Sequence, residues 1–278
     1  MNRTLSFLVP AYKRVELTIS CLESIYKYEP GSIVIFFDDG SADHSYELIV
    51  KKFSHYRRFY AYKVDKNIGT AGGLNFLLEK YLLLENTGDI FVVMDNDAKL
   101  TGKISDALFN YFENPKIGAI GKTGFFIIPE KKNFTLISLH NQYDIPTGVD
   151  TIATYFSAFR KEVLQYGLAD KRFESYIYGG GDFDLCLNIK LHGYSIWYDP
   201  HFPVEHVKRG SSSLFGNDVI NKQIEETNAE LDKKWREFYP KVLEIKRNKE
   251  GVKKYLRERL FKNYKVFHVL DVLKSRFF

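Results

Sequence analysis

Short apolar runs alternate with longer amphipathic stretches through residues 1–100. Leu5–Val9, Ile33–Phe37, Phe59–Val64 and Ile90–Met94 are rich in β-branched and aromatic residues and end in turn-forming or charged ones, the pattern of strands buried on both faces. Between them, Val15–Tyr28 carries Leu17, Cys21, Leu22 and Ile25 at helical spacing, and Ser45–Phe53 and the stretch from Gly69 to about Leu84 also read as helices. This alternation predicts an α/β fold: a Rossmann-like, mostly parallel central sheet flanked by helices. Right-handed crossovers bring the carboxyl ends of such strands to one edge, where these sheets bind ligands.

The second half is less regular. Ile117–Ile128 suggests one or two strands, and residues 129–150, which mix Lys, Asn, Pro and Gly, suggest a loop or hairpin. Asp182–His192 reads as a helix, Ser195–Tyr198 as a strand, and the chain from Asp218 onward as helical. The expected division is a body over residues 1–215 and a helical, basic and amphipathic C-terminal extension over 216–278.

Composition narrows the class. Of 278 residues 45% are apolar and 27% charged, which predicts a packed core. The only two cysteines, Cys21 and Cys186, lie in apolar contexts, so neither a disulfide framework nor a zinc site is expected and a reducing, cytoplasmic setting is. No apolar run reaches the roughly 20 residues that span a bilayer, and no signal-peptide pattern opens the chain. The net charge of +5 is uneven: residues 241–278 hold 12 Lys/Arg against 4 Asp/Glu, a balance of +8, so the rest carries −3. That distribution argues against a nucleic-acid-binding body. The same tail spaces Val252, Leu256, Leu260, Tyr264, Phe267, Leu270, Leu273 and Phe277 along one helical face. It is expected to lie on an anionic membrane surface, at the inner face of the cell membrane, the alternative being docking on the body or on a second copy of the chain.

Candidate chemistry collects where strands end. Ile90–Met94 runs into Asp95-Asn96-Asp97; paired acids there can hold Mg²⁺ or Mn²⁺ against a phosphate, although Asp and Asn also simply make turns. Asp38-Asp39-Gly40-Ser41 closes the second run, where an acid can accept from a nucleotide's base or ribose, or a neighbour can cap a helix. Asn67-Ile68-Gly69-Thr70-Ala71-Gly72-Gly73-Leu74-Asn75 is a glycine-rich turn into a helix, fit for an anion or for close packing. Tyr178-Gly179-Gly180-Gly181-Asp182-Phe183-Asp184-Leu185 puts acids at a helix start, as caps or as a general base. His206 is a candidate metal ligand if it lies beside Asp97, and Ser211–Ser213 after it a loop that can close over a site.

In this order the motifs resemble family 2 glycosyltransferases of the GT-A fold, over residues 4–213. Val9-Pro10-Ala11-Tyr12-Lys13-Arg14 is similar to that family's first strand and loop, Asp38-Asp39-Gly40-Ser41 to its nucleotide-contacting acids, and Asn67-x-Gly69-x-x-Gly72-Gly73-x-Asn75 to its glycine-rich turn. Asp95-Asn96-Asp97 is similar to its metal-binding Asp-x-Asp, and Asp182-Phe183-Asp184-Leu185 to the segment that holds its catalytic base. The resemblance implies a nucleotide-binding half (1–100) and an acceptor-binding half (101–215). It further implies inverting, metal-dependent transfer from a nucleotide-diphosphate sugar, UDP-linked before others, to a growing cell-surface polysaccharide or lipid-linked glycan. Asp182 is the implied base, and Asp97, His206 and Asp95 the implied Mn²⁺ or Mg²⁺ ligands. Pro10, Ala11, Tyr12, Arg14, Asp38, Asp39, Asn67, Gly72, Gly73, Asn75, Asp95 and Asn96 are the implied donor contacts. The Gly72-Gly73 pair also fits transferases of dTDP-rhamnose or UDP-galactofuranose. One departure stands out: Gly181 occupies the place of the family's usual Glu before the base, which keeps open an unusual acceptor or a non-catalytic nucleotide-sugar-binding relative. A nucleotidyltransferase, the alternative enzyme, would carry glycine in the loop after the first strand.

Overall fold

A computed structural model describes residues 4–140, 143–177, 179–207, 214–244 and 254. Tyr178, Ser211–Ser213 and the apolar stripe from Val252 to Phe277 therefore lie outside the described residues. Residues 5–94 form β1 (Leu5–Ala11), α1 (Val15–Tyr28), β2 (Ile33–Asp38), α2 (Ser45–Phe53), β3 (Phe59–Lys63), α3 (Gly69–Leu83) and β4 (Ile90–Met94). There follow β5 (Ala98–Leu100), α4 (Ser105–Phe112), β6 (Ile117–Gly121), the hairpin of β7 (Gly124–Pro129) and β8 (Phe134–Ser138), β9 (Thr147–Val149), β10 (Thr151–Ile152) and β11 (Phe156–Arg160). Two short 3₁₀ turns, Lys161–Tyr166 and Lys171–Ser175, lead to α5 (Gly181–Leu191), β12 (Ser195–Tyr198), β13 (Val204–His206), α6 (Asn217–Trp235) and α7 (Tyr239–Val242).

Eight strands form the central sheet in the order β3-β2-β1-β4-β11-β6-β12-β9. Six run one way, while β11 and β9 run against them. Burial on both faces explains why β4, and β2 up to Phe37, are apolar throughout. Ile33, Ile35, Phe37, Phe91 and Val93 face α3 and α5, whereas Val34, Phe36, Ile90, Val92 and Met94 face α1, α2 and α4. The sheet is thus covered by helices on both faces. β5 and β13 pair antiparallel as a separate ribbon that joins Ala98 to His206.

The second half holds several elements that the sequence reading did not give, among them α4, β9, β10 and β13, and one more that lies inside the sheet. Phe156–Arg160 forms a wholly buried reversed strand between β4 and β6, where no strand was expected. The residue that fixes it is Arg160, buried at the end of β11. Its guanidinium donates to the carbonyls of Ile117 (3.1 Å) and Asn114 (3.0 Å) and to that of Phe112 at the end of α4. A cation is suited to unpaired helix C-terminal carbonyls. The C-terminal elements pack on the body: Leu231, Trp235, Tyr239 and Val242 form a third apolar cluster with Ile127, Phe134, Phe173 and Leu187.

Replacing Arg160 with Met is expected to lower stability by about 3 kcal/mol, because buried carbonyls lose a charged donor. Denaturant titration of the two proteins measures it; an unchanged midpoint would show that the guanidinium is not what holds β11.

Candidate functional site

The carboxyl ends of β1 and β2 lie side by side, with Ala11 opposite Asp38 and the Asp39 N–H donating to the Ala11 carbonyl at 2.8 Å. Asp38 is fully buried. One of its oxygens accepts the Ser41 N–H at 2.7 Å, while the other, Oδ2, is buried with no hydrogen-bond partner among the described residues. Burial pushes its pKa up, against the Ser41 bonds. An orphaned carboxylate oxygen at a ligand-binding edge is an acceptor awaiting an N–H or O–H. Asp39 is spent differently. Its carboxylate accepts the Ile68 N–H at 2.7 Å and its pKa rises to about 6, chiefly through burial.

The loop after β1 is strained. Lys13 and Arg14 are both left-handed, with φ of 57° and 58°, at a cost of roughly 1–2 kcal/mol each. Three bonds hold them there. Ser41 Oγ accepts the Lys13 N–H at 2.7 Å, the Asn96 amide donates to the Lys13 carbonyl at 3.4 Å, and the Thr18 hydroxyl donates to the Arg14 carbonyl at 3.2 Å. Backbone strain persists where surroundings over-determine it, commonly at functional loops. The Tyr12 ring stacks on Phe215, centroids 5.6 Å apart.

At the end of β4, Asp97 Oδ1 sits 3.2 Å from His206 Nε2. The β5–β13 ribbon makes this pair: His206 lies opposite Ala98, and the Val207 N–H donates to the Asp97 carbonyl at 2.8 Å. Tyr155, just before β11, lies flat against the imidazole, rings 4.4 Å apart and 8° from parallel. Its hydroxyl accepts from that of Thr123 at 3.0 Å, which fixes the ring under His206. The Asp95 N–H donates to the Tyr155 carbonyl at 3.2 Å. Asp95 itself is pushed up to about 7, first by burial, then by the charge of Asp97 and more weakly that of Asp182, with His206 acting against.

Asp182 opens α5, where its carboxylate accepts the N–H of Phe183 at 2.9 Å and that of Thr154. Thr154 adjoins Tyr155, so one dipeptide ties the base candidate to the end of β4. Burial raises Asp182 to about 6. Each of the three preceding glycines has its own neighbour: a Cβ on Gly179 would stand 3.1 Å from the Thr227 hydroxyl, on Gly180 2.6 Å from the Phe173 ring, and on Gly181 2.8 Å from Ala71 Cβ. Gly179 and Gly180 are also left-handed, at φ 90° and 86°. The family's Glu has no room at position 181, because α5 begins in contact with α3.

Other expected donor contacts point elsewhere. Both ends of the buried Asn75 amide are taken, by Ala169 N–H and carbonyl (3.0 and 2.9 Å) and Glu174 (2.7 Å), so it braces α3 against the 169–174 segment. Gly73 lies against the Phe37 ring, a contact of helix on sheet, and Gly72 against Ile68 at the start of its own helix. The Asn67 side chain accepts the Gly69 N–H at 3.0 Å, a local turn. Asn96 donates to the Thr18 hydroxyl at 2.9 Å and so steadies α1 and the strained loop. Pro10 and Ala11 are β1 backbone beside Phe37 and Asp38. Sequence reasoning missed Tyr155 and Ser41. Ser41 stood within a quoted motif, whereas only the unrecognised strand start could have marked Tyr155. Among the described residues no three His, Cys, Asp or Glu side chains are grouped closely enough to hold a metal between them. Asp97 and His206 form a pair of suitable donors, carboxylate and imidazole, beside a carboxyl whose own charge is disfavoured.

Acids at the carboxyl edge of a Rossmann-like sheet with two reversed strands and an Asp–His ribbon above it make this a GT-A glycosyltransferase fold. The chain belongs to glycosyltransferase family 2: the family model described as "Glycosyl transferase family 2" matches residues 6–168. Solved structures of the same fold include GalNAc-T7 with UDP, GalNAc and Mn²⁺, at a TM-score of 0.64 and 14% identity over 98% of this chain and 57% of that one. They also include the mannosyltransferase PcManGT from Pyrobaculum calidifontis with GDP-Man and Mn²⁺, at 0.53 and 15% over 98% and 78%. An uncharacterized protein of Haemophilus influenzae is 26% identical over 125 residues, 42% of this chain and 63% of that one, so this chain spans less than two thirds of that relative.

Restoring the family's acid as Gly181→Glu is expected to lower the melting temperature and not to raise activity, since the first added carbon already meets Ala71. Thermal unfolding checks this; an unshifted midpoint would mean that the contact with α3 yields freely.

Proposed function

We propose that the protein transfers a sugar from a nucleotide-diphosphate donor to a hydroxyl of a glycan or lipid-linked acceptor, with inversion at the anomeric carbon. The observation that carries this reading is the Asp97–His206 pair at the end of β4, 3.2 Å apart, beside Asp95, whose charge burial and Asp97 disfavour. Those two solved structures of this fold hold UDP with GalNAc, and GDP-Man, each with Mn²⁺, and a donor of that class is assigned here, UDP-linked before others.

Asp38 Oδ2 accepts from the base or ribose, and Tyr12 lines the nucleoside site. Asp97 and His206 are the residues that would hold Mn²⁺ or Mg²⁺, with donor phosphate oxygens filling the remaining positions, as hard cations with few protein ligands commonly arrange. Bound there, the ion would neutralise charge growing on the departing nucleoside diphosphate. Asp182 takes the acceptor's hydroxyl proton. As the acceptor oxygen bonds to the anomeric carbon on one face, the bond to the diphosphate oxygen breaks on the other. A positioned base contributes roughly 10²–10⁴-fold, and a pKa near 6 leaves it proton-free at neutral pH yet more basic than an ordinary carboxylate. No helix among the described residues is long and apolar enough to cross a membrane.

Asp182→Asn is expected to cut turnover by roughly 10²–10⁴-fold while leaving UDP affinity nearly intact. Since a raised carboxyl pKa means the base is protonated and idle below it, wild-type turnover should fall as pH drops through about 6. Nucleoside-diphosphate release across pH 5–8 measures both, and wild-type rates in the variant would remove the base assignment. Separately, Asp97→Ala should abolish the gain in UDP affinity that Mn²⁺ confers, read by calorimetry with and without MnCl₂; equal gains in both proteins would sink the metal assignment.

A further inference from the structure

Asp184 stands two residues past Asp182 and touches none of the reacting groups, yet it is the most heavily bonded acid of the loop. It is 1% exposed. Its Oδ1 accepts the indole N–H of Trp235 at 2.7 Å and lies 2.7 Å from Lys234 Nζ. Its Oδ2 accepts the Asp170 N–H at 2.8 Å, and Lys234 reaches the Asp170 carboxylate at 3.0 Å. Both side-chain partners come from the last turn of α6, some fifty residues along the chain. A buried carboxylate held by a cation and two N–H donors is fixed in place, because losing any of them leaves charge unpaired in a dry setting.

The same helix reaches the other side of the base. Gln223 Oε1 accepts the Ile177 N–H at 2.8 Å. Thr227, one turn on, packs where Gly179 has no side chain. α6 therefore holds the loop before Asp182, at Ile177 and Gly179, and after it, at Asp184. This helix lies beyond residue 168, where the family match ends. Gly181 meanwhile has no side chain with which to order the loop from within.

We propose that α6 is the positioning element for the base: Lys234 and Trp235 acting through Asp184, and Gln223 acting through Ile177, hold Asp182 where it can take the acceptor's proton. Gly179 and Gly180 are both left-handed, a backbone that needs anchors to hold one conformation. The inference rests on the reading of Asp182 as general base.

The test uses the full chain with Trp235→Phe, Gln223→Ala, Lys234→Met and Lys234→Arg. Two quantities are read. One is nucleoside-diphosphate release from UDP-glucose, UDP-galactose, UDP-N-acetylglucosamine, UDP-N-acetylgalactosamine, dTDP-rhamnose and GDP-mannose with MnCl₂, resolved into kcat and donor KM. The other is amide hydrogen exchange of residues 176–185. Trp235→Phe and Gln223→Ala should each lower kcat roughly tenfold, the scale of a misplaced catalytic group, with donor KM little changed and faster exchange confined to that segment. Lys234→Arg, which keeps the charge, should recover most of the kcat that Lys234→Met loses. Should Lys234→Met fail to fold, Gln223→Ala, which strands no buried charge, still decides. Unchanged kcat and exchange in Trp235→Phe and Gln223→Ala would overturn the proposal, as would exchange that quickens equally across the central sheet. If the wild-type protein releases nucleotide from none of the donors, the transferase reading is what fails, and exchange in the segment still decides whether α6 holds the loop.

Discussion

Carboxylates gathered at one edge of a dry sheet are the constraint on which this structure turns. Asp38, Asp39, Asp95, Asp97 and Asp182 all come to the carboxyl edge, and removing an acid from water disfavours its charged form. The fold answers most of them individually. Asp39 takes the Ile68 N–H, Asp97 pairs with His206, and Asp182 takes the N–H groups of Phe183 and Thr154. Two answers are incomplete. Asp38 keeps a buried oxygen without a partner, and Asp95, pushed to about 7, feels both neighbouring acids. What remains unsatisfied is a demand for N–H or O–H donors at one end of the site and positive charge at the other. A nucleotide-sugar and a divalent cation would supply those two things, so the unmet demands of this edge and the proposed chemistry are one argument.

The loop before Asp182 shows how such an edge is assembled from distant parts of the chain. Its three glycines do not confer looseness. Each marks a different element closing in: α6 at Gly179, the second 3₁₀ turn at Gly180, α3 at Gly181. Convergence of this kind leaves no volume for the acid found at the last of these positions in relatives. Its absence is a packing consequence, and the ordering it would provide has to come from outside the loop.

Much of the fold was legible because buried parallel strands leave a plain mark. Ile33–Phe37 and Ile90–Met94 are apolar on both faces, and acids follow directly where the sheet ends. Phe156–Arg160 was not legible, since a five-residue segment ending in Arg looks like a loop until α4 supplies the carbonyls that Arg160 neutralises. The motif residues divide in the same way. Sequence marks Asn75, Gly72, Gly73 and Asn96 as unusual but not the direction they face. Asn75 braces α3 against the 169–174 segment, Gly73 meets the sheet at Phe37, Gly72 lies against the start of its own helix, and Asn96 steadies the loop after β1. Lys234 and Trp235 carry no local signal, because their meaning lies in a carboxylate fifty residues upstream.

The glycine-rich turn acquires a purpose from these contacts that anion binding alone would not give it. Ile68 donates to Asp39, on the nucleotide side. One and two residues on, Gly69 lies against the Tyr176 carbonyl and the Thr70 N–H donates to that of Ile177, while the Thr70 hydroxyl accepts the Gly179 N–H at 2.9 Å. Three consecutive residues thus join the acid at the end of β2 to the loop before Asp182. Gly69 is left-handed, at φ 76°, and a Cβ there would stand 2.1 Å from the Tyr176 oxygen, so the junction is as close as two backbones can come. A turn this tight cannot shift on one side alone. The geometry that presents Asp182 and the geometry that closes the nucleotide edge are set by the same few peptide groups.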